Sequence, residues 1–187
     1  MKEYHLTTPL SEEDVTPLRA GDRVTISGIV YTARDAAHRR LIELMDAGKD
    51  LPIPIDGQVI YYVGPSPAPP GRVIGAAGPT TSYRMDPFAP RLLERGLKAM
   101  IGKGKRAREV IEAMVRYKGV YLAAVGGAGA LMAKAVTAAR VVAYDELGPE
   151  AIRELTVENL PAVVVNDTLG NDLYQEGQET YRMGDSC

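Results

Sequence analysis

The residues on either side of Asp35 follow two different periods, and that switch constrains the fold more than any other feature of the chain. GDRVTISGIVYTARD, residues 21–35, alternates in its first half, with Val24 and Ile26 to one side and Thr25 and Ser27 to the other. A period of two is the pattern of a half-buried strand. DAAHRRLIELMDAG, residues 35–48, changes to helical spacing, with Leu41, Leu44 and Met45 on one face and Gly48 placed to end the helix. The exchange recurs downstream, and strands mixed with intervening helices argue for an α/β core.

Pro87–Lys98 reads as a helix with a stripe of Leu92, Leu93 and Leu97, weakened near its end by Gly96. Met100 and Ile101 form a brief apolar approach to Gly102, and Lys105–Tyr117 has helical periodicity suited to burial against a sheet. Gly119–Ala124 is a buried strand with Gly126-Gly127 as its turn, followed by the alanine-rich helix AGALMAKAV. Arg140–Tyr144 is a further strand, DELGPEAIREL a turn and helix, and Pro161–Asp167 the closing strand. Val73–Ala77 is expected as a short strand. Pro52 and Pro54 speak against a central strand over Leu51–Ile60, because proline cannot donate to the ladder. Pro65, Pro67, Pro69, Pro70 and Gly71 make a rigid surface connector, and residues 9–20 a surface lead-in or short helix. The polar end packs through Leu173 and Tyr174 or frays beyond them. No internal repeat divides the sequence, so 1–187 is expected to be a single domain of mixed strands and helices.

A formal charge of −2 gives no general pull toward nucleic acid or acidic membranes. MKEYHLTTPL has no secretory-leader pattern, and the apolar run from Gly119 to Ala133 is too short for an ordinary membrane span, so a cytoplasmic chain is expected. The only cysteine is Cys187, which excludes an intrachain disulfide and a self-contained cysteine-ligated cluster and reads as an incidental thiol.

Three stretches concentrate ligand-binding chemistry. In YTARDAAH, Arg34 stands at a strand end where a guanidinium can grip a carboxylate with two parallel donors. Asp35 can cap the following helix, and His38 lies on the same side, where a local hydrogen bond would orient the corner; a charged helix start accounts for the same residues. In GPTTSYRMD, Gly78 and Pro79 fix a turn, Thr80 and Thr81 present hydroxyls, and Arg84 adds a fixed charge. Asp86 either caps the helix near Pro87 or orients Arg84. In IGKGKR, Gly102 and Gly104 permit close approach around Lys103, a point charge for an anion, although a solvated turn needs no more. GGAGA at 126–130 matches no dinucleotide fingerprint; tight strand-to-helix packing accounts for its glycines, with a second backbone-lined face of the same pocket as the alternative. If the three loops converge, Arg34, Arg84 and Lys103 offer more charge than one carboxylate requires, and a small dicarboxylate is the economical ligand.

YTARDAAH at 31–38, GPSPAPPGRVIGAAGPTTSYRMD at 64–86 and GKG at 102–104, with KGVYLAAVGGAGAL and PAVVVNDTLGNDLY later, resemble the β subunit, equivalently the C-terminal domain, of class I iron-sulfur fumarate hydratases. The resemblance implies a swivelling β/β/α domain with a mixed β core and flanking helices. It implies a partner α subunit carrying a [4Fe-4S] cluster on three cysteines, with a pocket formed between the two and no metal held by this chain. It makes Arg34, Arg84 and Lys103 carboxylate contacts, gives Thr80 a share in proton transfer with an acidic residue of the partner, and has Thr81 line the site, with Asp35 and His38 supporting Arg34. The implied reaction is the reversible hydration of fumarate to L-malate in a heteromer, with higher homo- or hetero-oligomers open. L(+)-tartrate dehydratase β subunits resemble the same pattern, and a non-enzymatic dicarboxylate-binding or scaffold subunit is the remaining alternative.

Overall fold

The computed structural model describes residues 1–124 and 127–182. Seven strands form one sheet: β1 (Glu3–Thr7), β2 (Arg23–Thr32), β3 (Val59–Tyr61), β4 (Ala99–Gly102), β5 (Val120–Ala123), β6 (Val136–Ala143) and β7 (Ile152–Asn166). β1, β2, β3, β4 and β5 are successive parallel neighbours. β7 runs antiparallel beside β5, then beside β2, with β6 on its outer side. Because β7 pairs with both β5 and β2, the strands from β2 to β5 close on themselves through it into a partial barrel. Fifteen residues make this reach possible, and Val163 serves as the junction, paired with Ala123 on one side and Arg23 on the other. The α/β class with a mixed β core and flanking helices is thus the observed architecture.

Strand alternation separates two apolar clusters. Val59 and Tyr61 of β3, Ile101 of β4 and Val120 and Leu122 of β5 face one cluster with Val24, Ile26, Leu155 and Val157. Their neighbours Ile60, Met100 and Tyr121 face the other, which is covered by α2 (Asp35–Asp46), α3 (Ala89–Glu94) and α4 (Arg108–Tyr117). Helix α2 contributes Ala37, His38, Leu41 and Met45, and Gly48 follows its end at φ 62°, the left-handed conformation glycine adopts without a Cβ clash. The remaining helices are α1 (Glu12–Val15), α5 (Gly129–Lys134) and α6 (Leu173–Tyr181). Asp172 caps α6 by accepting from the backbone N–H groups of Tyr174 and Gln175, and Leu173 and Tyr174 pack on the second cluster.

Two sequence expectations fail and two strands went unassigned. Ile152–Leu155 is strand, not helix, because β6 pairs with it throughout and β2 joins at Glu154 and Leu155, a tertiary context that outweighs the helix-forming residues of IREL. Val73–Ala77 is not a strand; the connector folds onto itself, with Ser66 N–H donating to Ala76 O at 3.1 Å. Glu3–Thr7, an unpredicted strand, adds to the edge of β2. Ala99–Gly102, expected only as an apolar approach, is a fully buried strand. The Gly126-Gly127 turn falls partly outside the described residues, and Cys187 lies outside them.

Candidate functional site

Three adjacent parallel strands end at one edge, and each hands the chain to one of the three stretches. β2 ends at Thr32, two residues before Arg34; β3 ends at Tyr61, before the long loop that returns through Thr80; β4 ends at Gly102, before Lys103. The carboxyl ends of parallel strands are where α/β sheets characteristically bind ligands, since the loops there converge. A bridge between Val63 and Pro79 closes the long loop at its base, and Thr80 N–H donates to Tyr62 O at 2.6 Å. Thr81 then bridges Lys103 in parallel, and Ser82 N–H donates to Lys103 O at 2.9 Å. Thr80, Thr81 and Lys103 are thereby brought side by side through backbone pairing.

Arg34 and Arg84 meet on the other side of this corner. Asp35 accepts from Arg84 Nη2 at 2.9 Å and stands 3.9 Å from Arg34 Nη2. Glu150, from the turn leading into β7, holds Arg34 Nη2 at 2.9 Å with one oxygen and accepts Ala36 N–H at 3.3 Å with the other. Sequence reasoning missed Glu150 because it lies more than a hundred residues from its partners; no local signal marks it. Gly64 was also missed: a Cβ there would lie 2.9 Å from Arg34 Nη1, so its lack of a side chain makes room for the guanidinium. Three cations against two carboxylates leave the corner with one net positive charge. Among the described residues no carboxylate lies within salt-bridge distance of Lys103.

The His38 side chain bonds to the backbone of Arg34 and not to Asp35. Its Nδ1 lies 2.9 Å from Arg34 O. A carbonyl only accepts, so Nδ1 carries the proton and Nε2 is bare. The ring is fully buried against the edge of Tyr62, and burial first, with the nearby Arg106 charge acting in the same direction, pushes its pKa down to about 4. The neutral ring is therefore the form present at pH 7.

Asp86 departs from both roles expected of it. It neither caps a helix at Pro87 nor touches Arg84; it accepts from Arg106 Nε at 2.6 Å and from Ala107 N–H at 2.7 Å, just ahead of α4. Arg106, the last residue of IGKGKR, is buried, so the solvated-turn reading of that stretch does not extend to it. Gly102 is needed for packing, because a Cβ there would collide with Ser82 Oγ and lie 3.0 Å from the Tyr62 ring, and Gly104 turns the chain at φ 84°. The start of α5 also packs here: Ala77 N–H donates to Gly129 O at 3.0 Å, and a Cβ on Gly129 would lie 3.0 Å from Gly78 N.

Residues 1–177 match the family described as Fumarase C-terminus, and the chain belongs to that family. It is similar to the anaerobic class I fumarate hydratase of Escherichia coli K12, at 41% identity over 156 residues covering 82% of this chain and 28% of that protein. It is likewise similar to mitochondrial fumarate hydratase 1 of Leishmania major, 38% identical over 169 residues, 89% of this chain and 30% of that one. A Methanocaldococcus jannaschii protein named provisionally as an L(+)-tartrate dehydratase β subunit is 39% identical over 173 residues, which is 89% of each chain. The chain thus spans under a third of the length of these fumarate hydratases and nearly the whole of the tartrate dehydratase relative.

Proposed function

We propose that residues 1–187 form one domain, the β subunit of a hydro-lyase that interconverts fumarate and L-malate in the cytoplasm with a cluster-bearing α subunit. What supports the reading most is the convergence of Arg34, the Thr80–Arg84 segment and Lys103 at the ends of three adjacent parallel strands. Among the described residues no group of His, Cys, Asp or Glu is arranged to hold a metal ion. These residues do not fit an iron-sulfur cluster, and in this proposal the [4Fe-4S] cluster belongs to the partner. No described helix is long and apolar enough to cross a membrane.

Arg34 and Arg84 are the fork-shaped donors for the two carboxylates, and Lys103 is the point charge between them and the threonine loop. An entering carboxylate shares or displaces Asp35 at Arg84, an exchange made easy by the partial exposure of that pair. One net positive charge falls short of a dianion, which supports a site completed by a second subunit. Hydration adds the hydroxyl of water to one alkene carbon and a proton to the other. Thr80, anchored through its N–H to Tyr62 O, holds its hydroxyl beside the loop as a proton carrier, with Thr81 lining the site. A threonine hydroxyl is a weak base by itself, so the relay requires an acidic group from the partner.

The end-to-end match to the tartrate dehydratase relative favours a second reading, an L(+)-tartrate dehydratase β subunit. Anaerobic reconstitution with the cysteine-bearing subunit, assayed with fumarate, malate and tartrate before and after iron removal, separates the readings. We expect iron-dependent malate formation that needs both chains. A strong tartrate preference reverses the order, and ligand binding without turnover makes the chain a non-enzymatic dicarboxylate-binding or scaffold subunit.

A further inference from the structure

We propose that Arg106, Asp86 and Tyr121 are positioning residues that fix the spacing between the Thr80–Arg84 segment and the Lys103 loop, and so set substrate affinity; the inference rests on the dicarboxylate reading of that corner. Arg106 is tied to Asp86 at 2.6 Å, with side chains 0% and 10% exposed, and its guanidinium lies over two tyrosine rings, 4.9 Å from the centroid of Tyr121 and 5.4 Å from that of Tyr62. Nη1 reaches Met100 Sδ at 3.4 Å. Tyr121 OH donates to Gly104 O at 3.0 Å, and Ser82 Oγ lies 2.8 Å from the same hydroxyl. The tyrosine has one proton, already given to the carbonyl, so Ser82 is the donor to Tyr121.

The geometry links the Thr80–Arg84 segment to the Lys103 loop. Ser82 is the residue after Thr81, Asp86 lies two residues beyond Arg84, Gly104 follows Lys103, and Tyr62 anchors Thr80. Gly104 turns the Lys103 loop at φ 84° and gives it no stiffness of its own. A sealed ion pair between stacked rings is a rigid strut, whereas surface pairs are interchangeable. Its members do not touch ligand in this arrangement. They act through Lys103 and Thr80–Arg84, whose relative placement must hold to a fraction of an ångström to grip two carboxylates at once.

Tyr121→Phe isolates the device, because it removes one hydroxyl and leaves the ring and the ion pair in place. In the reconstituted complex assayed with fumarate, we expect KM to rise about tenfold with kcat changed much less. Arg106→Lys keeps the charge but not the planar fork, and should raise KM at least as much. Wild-type KM in a folded Tyr121→Phe complex, with only the melting temperature lowered, overturns the proposal and makes the network a stability element. Arg84→Ala is run alongside: if it too retains wild-type KM and kcat, the dicarboxylate reading itself has failed.

Discussion

Two arginine–aspartate pairs flank the same short segment, and their surroundings set them to opposite tasks. Arg84–Asp35, at 2.9 Å, stands open, with side chains 39% and 31% exposed. Arg106–Asp86, at 2.6 Å, is sealed. An exposed pair adds little to stability, and its guanidinium remains available to another anion. A sealed pair is not exchangeable, since removing one member strands the other charge away from water. In the proposed site one pair is the ligand-facing one and the other holds the frame, although no difference in residue type distinguishes them.

Arg106→Met should break the comparison hardest. It should lower the unfolding free energy by about 3–5 kcal/mol in chemical denaturation, against under about 1 kcal/mol for Arg84→Ala. Equal losses would erase the distinction. Acid should come next, through His38 beneath the open pair. Its folded pKa of about 4 lies below the ordinary histidine value of 6.5, so the unfolded chain binds more protons between those values. Stability should therefore be insensitive to this group above about pH 6.5 and fall by roughly 3 kcal/mol as pH drops to 4, with His38→Asn flattening that slope in pH-dependent denaturation. A wild-type profile unchanged by His38→Asn would contradict the assignment. Glu150→Gln should show the smallest change. It keeps an acceptor for Ala36 N–H and removes only the charge on a partly exposed partner of Arg34, so unfolding should shift by no more than about 1 kcal/mol. A larger loss would place Arg34 with the frame rather than with the ligand.

Arg34, Arg84, Lys103 and their loops were legible in sequence because their chemistry is local: TARD, GPTTSYR and GKG carry arginine, hydroxyls and glycines within a few residues of one another, although the partner of Arg84 is Asp35 and not Asp86. The sealed pair was not. Lys103, Lys105 and Arg106 read as one basic turn, yet Lys103 is exposed while Arg106 turns inward between Tyr62 and Tyr121, an environment assembled from β3, β5 and α4. Glu150 was hidden for the same reason. The fold shows the same division: helix α2 and its glycine stop follow from periodicity alone, whereas Ile152–Leu155 becomes strand only because β6 pairs with it throughout and β2 joins at Glu154 and Leu155. Residues whose role is set by distant partners leave no periodic or motif signal.

The most direct test of the open corner as the ligand-facing half of a shared site is the steady-state rate of fumarate hydration by the reconstituted complex carrying Arg84→Ala. Loss of a guanidinium that grips a carboxylate should lower kcat/KM on the order of 100-fold, with assembly and melting temperature unchanged. A complex that assembles normally and hydrates fumarate at the wild-type kcat/KM would contradict it.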